Sequence, residues 1–204
     1  MSGHLHMLLA FWAAFGLAVI SPGPNFAFML KVGLGRGRRV ALRTVLGIAV
    51  GEAVWGLAAV LGVAALALRY PWLAHAIRLA GGAFLFWLAF GALRSAMRPA
   101  AGDAVPPAAG GGFLAGLAIM LLNPKAGLFW VAVTGVLFGS DIPSGLGAVA
   151  VAGAVLLSLA WHTTLALAFT AGSTARLYTC LRRGIEAGLG VALAGLGVRL
   201  LAPG

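Results

Sequence analysis

Four polar clusters sit inside stretches that are otherwise apolar, and each carries chemistry that apolar surroundings make costly. The first is Ser21-Pro22-Gly23-Pro24-Asn25 within AVISPGPNFAF, and the second is Glu52 in GIAVGEAVWG. The third is Asn123-Pro124-Lys125 in LLNPKAG, and the fourth is His162 in SLAWHTTLA, with Ser158, Thr163 and Thr164 nearby. Proline lacks a backbone donor and clashes with the preceding turn, so it frees the carbonyls before it and leaves N–H groups beyond the break pointing into the gap. The restarted half-helix then presents its N-terminus as a site for a carboxylate.

Lys125 adds a cation, costly at bilayer depth, with about twelve apolar residues on either side and no interface within reach. Glu52 is the natural partner, an acid at the same depth that can pair with Lys125 or carry a proton. His162 is a further candidate for a transport role. The structural alternatives are a simple proline kink, a static Glu52–Lys125 ion pair and a histidine that merely satisfies its packing.

These residues need apolar elements to hold them. The chain has 204 residues, 62% hydrophobic and 9% charged, a composition of a membrane protein. Apolar stretches run over 5–33, 40–68, 72–93, 113–138, 145–171 and 184–202. Six transmembrane helices are expected, the last one short and ending in Arg199, Pro203 and Gly204. At a rise of about 1.5 Å per residue, Ser21 lies ~24 Å along from Leu5 and Lys125 ~18 Å along from Phe113, so both proline motifs fall near mid-membrane. The start, MSGHLHMLLAFW, has no Lys or Arg before its apolar run and reads as a retained first helix.

Basic residues crowd alternate connections. Lys31, Arg36, Arg38, Arg39 and Arg43 surround the first, Arg94 and Arg98 the third, and Arg176, Arg182 and Arg183 the fifth, against Arg69 and Arg78 at the second. With six spans this bias places both termini outside the cytoplasm. Trp12, Trp72, Tyr70 and Tyr178 lie near segment ends and suit an interfacial belt.

Between the third and fourth stretches, MRPAAGDAVPPAAGGG can hold neither helix nor core. It divides the chain into a first three-helix repeat over 1–98, a linker over 99–112 and a second three-helix repeat over 113–204. An offset of 102 sets Ser21-Pro22 on Asn123-Pro124 and aligns VISPGPNFAF with MLLNPKAGLF. Because three is odd, a duplicated unit re-enters from the opposite face, giving a 3+3 inverted repeat with broken helices 1 and 4. Small-residue spacings such as Gly47-x3-Gly51 let helices approach closely.

Several function classes fall away. The net charge of +10 comes without a basic helix or an aromatic-basic platform, so lipid and not nucleic acid is its partner. Cys180 is the only cysteine, which excludes an intrachain disulfide and a cysteine-based metal cluster. No P-loop pattern is present, so energy comes from a gradient or an associated subunit. No cofactor or metal is expected.

The SPGPN at Ser21–Asn25, the basic GLGRGRR at Gly33–Arg39, the pair Gly51-Glu52 and the NPKA at Asn123–Ala126 together resemble the lysine exporter and homoserine/threonine exporter superfamily of bacterial inner-membrane translocators. The resemblance covers nearly the whole chain in length, helix spacing and motif order. It implies export of amino acids or close derivatives driven by the proton gradient, with Ser21, Pro22, Gly23, Pro24, Asn25, Asn123, Pro124 and Lys125 forming the substrate and gating region. Glu52 departs from the aspartate more usual in that family. The expectation is an all-α secondary exporter of a small zwitterionic solute in the inner membrane, with Glu52 and Lys125 coupling protons and His162 a further candidate. An intramembrane enzyme acting on a lipid or quinone, and a passive channel or scaffold, are the alternatives.

Overall fold

A computed structural model describes residues 2–21, 23–97, 110–137, 144–171 and eight positions between 184 and 198. Pro22, Arg98 and most of the linker, the connection 138–143, Arg176, Tyr178, Cys180, Arg182, Arg183, Arg199 and most of the sixth stretch lie outside the described residues. Among the described residues there is no strand. The helices are α1 (Ser2–Ile20), α2 (Pro24–Arg69), α3 (Pro71–Met97), α4 (Phe113–Leu121), α5 (Pro124–Leu137) and α6 (Ser144–Thr170), and the eight later positions are helical too. Three helices begin on proline, whose missing N–H costs nothing in a first turn and whose φ is already helical.

The 46 residues of α2 are not one rod. Gly37 has φ 74° and ψ 168°, a conformation open to glycine alone at little cost. Asn25 Nδ2 reaches Met120 Sδ at 3.0 Å, and Trp55 Nε1 reaches the carbonyl of the same Met120 at 3.2 Å. Thirty residues of straight helix would separate those donors by ~45 Å. The chain therefore folds back at Gly37 into two arms, 24–36 and 38–69.

The described helices fall on the first five expected segments. The first apolar stretch is α1 and the arm 24–36, interrupted at Ser21–Gly23, and the second is the arm 38–69. The fourth is α4 and α5, bent by 58° where they meet. Both breaks fall at the proline motifs. By length and composition alone, Gly145–Thr170 can cross a membrane, Pro24–Gly62 is long and apolar enough although the fold-back at Gly37 divides it, and the bent pair can make a further crossing. Leucines and aromatics such as Leu61, Trp87, Phe90, Leu114, Leu122 and Leu156 are exposed, as lipid-facing side chains are.

Glycine sets the closest packing. A Cβ on Gly47 would strike the Phe113 carbonyl, one on Gly116 the Thr44 carbonyl, and one on Gly51 would lie 2.8 Å from the Met120 side chain. The arm 38–69 thus lies backbone to backbone on α4, the role expected of the Gly47-x3-Gly51 spacing. Thr44 Oγ1 clamps the start of α4 by accepting from Gly112 N–H at 2.8 Å. Trp12 differs from the interfacial role expected of it: its indole donates to the Ala150 carbonyl at 3.1 Å and its ring lies on Gly153, inside the α1–α6 contact. Two buried clusters, one around Phe11, Phe15 and Trp130 and one around Met29, Ile48 and Phe169, flank the space between the breaks.

Candidate functional site

The site begins with two carbonyls that lose their helical donors. In a continuous helix the Ala18 carbonyl would accept from the N–H of residue 22, and the Met120 carbonyl from that of residue 124. Both positions are proline, so neither bond can form. The Ala18 carbonyl takes a side-chain donor from the other break, and the Met120 carbonyl takes the Asn123 N–H at 3.2 Å together with an indole. Lys125 Nζ donates to Ala18 O and to Ser21 O, both at 3.3 Å, and Trp55 Nε1 donates to Met120 O at 3.2 Å. The offset that aligns the two proline motifs also sets Ala18 on Met120.

Asparagines join the two breaks. Asn123 caps α5, its Oδ1 accepting from Lys125 N–H at 3.0 Å, with Pro124 in the first helical position. Its Nδ2 donates to Asn25 Oδ1 at 3.1 Å, and Asn25 Nδ2 continues to Met120 Sδ. Gly23 leaves room for Lys125: a Cβ there would stand 3.4 Å from Nζ.

Glu52, on the arm 38–69, is buried and accepts at both oxygens. The Trp130 indole of α5 donates to Oε1 in a short hydrogen bond, and Ser158 of α6 donates to Oε2 at 3.3 Å. Ser158 Oγ also lies 3.2 Å from His162 Nδ1, which stands 2.9 Å from the Ser158 carbonyl. The direct Glu52–Lys125 pairing suggested by the sequence is not made in this structure: the ammonium takes the carbonyls that Pro22 and the break leave open, and the carboxylate takes Trp130 and Ser158.

Ser21, Gly23, Asn25, Glu52, Asn123, Lys125 and His162 nonetheless line one cavity of about 450 Å³, its open mouth included. Pro24 and Pro124 are exposed and shape the breaks without lining it. Phe15, Phe26, Met120 and Phe129 supply an apolar wall. Sequence reasoning missed Trp55 and Trp130. The signal available was the scarcity of donors: an apolar chain that buries a carboxylate and frees a carbonyl must find N–H groups for them, and indole is one of the few side chains that brings a donor at low cost.

Such a cavity holds a cation, a buried acid and unpaired carbonyl capacity beside apolar surface, which suits a small solute bearing both charges. Residues 7–204 match the family described as LysE type translocator. The chain is 32% identical over 190 residues to the threonine efflux protein of Escherichia coli K12, covering 91% of this chain and 92% of the relative. It is 40% identical over 163 residues to the chemotactic transduction protein ChpE of Pseudomonas aeruginosa, covering 76% and 79%. With the leucine efflux protein of Klebsiella pneumoniae it shares 34% over 115 residues, 55% of this chain and 54% of that one. No solved structure matches it. The family match runs through both broken helices and every residue of the cavity wall, and the chain belongs to the LysE type translocator family.

Proposed function

We propose that the protein exports an amino acid or close derivative across the bacterial inner membrane, coupled to proton entry, with both termini outside the cytoplasm. The observation that carries this reading is the Lys125 ammonium of one broken helix resting on the carbonyls of the other at the cavity wall. A substrate carboxylate competes for that ammonium and for the N–H groups at the start of the arm 24–36 and of α5. Once Lys125 turns to it, the Ala18 and Ser21 carbonyls are open to the substrate's own ammonium. Binding then exchanges partners without leaving a charge unpaired. The side chain faces Phe15, Phe26 and Phe129.

The tie between the breaks makes the exchange a conformational event. Releasing Lys125 from Ala18 and Ser21 loosens one half of the chain from the other, so the two three-helix halves rock about the site as an inverted repeat. Glu52 gains and loses the coupling proton. The names of the threonine and leucine efflux relatives support an amino-acid substrate. The family consists of membrane transporters, and the intramembrane-enzyme alternative is set aside.

The test is efflux of a panel of labelled amino acids from preloaded cells, with and without a proton gradient, comparing the native chain with Lys125→Met at matched membrane abundance. Gradient-driven loss of one class, abolished by the substitution, supports the exporter. Absence of flux for every panel member overturns it.

A further inference from the structure

Glu52 and His162 border the cavity, yet substrate capture by Lys125 and the broken helices uses neither. Ser158 stands between them. Glu52, Ser158 and His162 are 3%, 1% and 2% exposed, and the distances from Ser158 Oγ are 3.3 Å to Glu52 Oε2 and 3.2 Å to His162 Nδ1. The other carboxylate oxygen is held by Trp130, and an indole N–H is a donor with no lone pair to receive a proton. A hydroxyl can donate and accept at once. Among the groups bonded to Glu52, only Ser158, at Oε2, can therefore pass a proton.

The titratable groups facing this network are few. The arm 38–69 contributes Glu52, α6 contributes His162, and α5 contributes Lys125, whose Nζ lies on the Ala18 and Ser21 carbonyls. The cavity-lining residues of α1, the arm 24–36 and α4 bring none: Phe15, Ala18 and Val19, then Asn25 and Phe26, then Met120.

Resting on the proton-coupled reading above, we infer that Ser158 relays protons between His162 and Glu52, making the imidazole the entry port for the coupling proton. In the observed arrangement both Glu52 oxygens accept hydrogen bonds, as a carboxylate does. His162 Nδ1 faces a carbonyl, so it carries the hydrogen and Nε2 is bare. This is the unloaded state. Loading proceeds when a proton from the cavity joins Nε2, the Nδ1 hydrogen passes to Ser158 Oγ, and the hydroxyl hydrogen passes to Glu52 Oε2. The products are a neutral carboxyl group, a serine that has exchanged one hydrogen for another, and a neutral imidazole protonated at Nε2. Unloading runs the same steps backward. Three hydrogens each move one place, the network gains one proton in all, and no bond between heavy atoms is made or broken.

The experiment uses the full chain in proteoliposomes with labelled threonine and leucine, and reads two rates in each preparation: accumulation driven by an imposed pH gradient, and exchange of labelled for unlabelled substrate at equal pH. Exchange needs binding and rocking but no net proton movement. Ser158→Ala should lower the ratio of driven flux to exchange by about tenfold or more, and Ser158→Thr, which keeps the hydroxyl, should restore it. His162→Asn should lower the ratio as Ser158→Ala does. A Ser158→Ala ratio equal to that of the native chain overturns the relay, and so does an equal loss of both rates in Ser158→Ala and Ser158→Thr, which marks a packing role. Native flux that ignores the gradient instead removes the proton-coupled reading and the relay with it.

Discussion

Lys125 Nζ occupies the Ala18 carbonyl, the acceptor that a proline at position 22 deprives of its helical donor. One break thus supplies the cation and the other the acceptors, so the two proline motifs are complementary parts of a single contact.

From this contact comes the first prediction. Lys125→Met keeps an apolar stem of similar reach but removes every donor at Nζ, leaving Ala18 O and Ser21 O open and the substrate carboxylate without its cation. A bond to a charged group contributes about 1.5–3 kcal/mol, so substrate affinity should fall ~10–100-fold. Lys125→Arg should not restore it, because a planar fork cannot reproduce a compact ammonium between two carbonyls. Radiolabelled substrate binding to purified protein reads both variants, and native affinity in either one contradicts the assignment.

The second prediction separates the two asparagines. Asn123→Ala removes both the cap on α5 and the bond to Asn25, whereas Asn25→Ala removes the pair and the bond to the Met120 sulfur but leaves the cap. A cap contributes about 1 kcal/mol and a thioether sulfur is only a weak acceptor, so Asn123→Ala should be the more destabilising, by less than ~1 kcal/mol. The double variant should cost less than the sum of the singles by about the value of the shared bond. Thermal unfolding in detergent measures the cycle; strict additivity would mean that the Asn25–Asn123 bond contributes nothing.

How much of this was legible beforehand follows from where each property resides. The breaks at Ser21–Asn25 and Asn123–Lys125 could be read because a missing proline N–H is a covalent fact, and their grouping in one region was an expectation drawn from the family resemblance. The partners could not be read. Trp130 meets Glu52 across 78 positions because Gly56 lets the arm 38–69 approach α5, a Cβ there lying 2.9 Å from the Trp130 ring. Charge alone favoured a Glu52–Lys125 pair. What decided otherwise was backbone: two open carbonyls lie within reach of the ammonium, and two neutral donors lie within reach of the acid. The fold-back at Gly37 was visible only as a basic GLGRGRR between apolar runs, and its sharpness is a matter of one dihedral pair.

A third prediction concerns the glycine contact between the arm 38–69 and α4. Gly47→Ala and Gly116→Ala each drive a methyl into a backbone carbonyl of the other helix, which cannot swing away as a side-chain tip can. Overpacking of this kind costs about 1–3 kcal/mol, and both variants should lower the yield of folded protein and the unfolding temperature. Gly16→Ala is the control, since a Cβ there meets nothing within 4 Å and helix propensity favours alanine by ~1 kcal/mol. Size-exclusion profiles and melting curves distinguish the two groups, and a Gly116→Ala protein as stable as Gly16→Ala would contradict the packing.

The last prediction concerns Glu52→Gln. The carboxamide has the size of the carboxyl group, and its oxygen can still accept from the Trp130 indole. Its NH₂ then faces Ser158, whose hydroxyl can turn to accept, so no buried polar group is left unpaired and the helices should stay in place. What disappears is a group able to take up and release a proton. A carrier coupled through Glu52 should therefore keep downhill flux and exchange while losing accumulation against a gradient, and its flux should become flat with pH where the native chain's is not. A scaffold would tolerate the change in every assay, and a channel would pass solute downhill in both proteins with no uphill accumulation in either. Trp130→Phe complements the test by removing one donor and keeping the acid: the carboxylate loses a charge-assisted bond, but coupled flux should survive and keep a pH dependence. Paired pH profiles of the two variants thus distinguish loss of the proton carrier from a change in its surroundings, and uphill export surviving in Glu52→Gln would rule out Glu52 as the coupling residue.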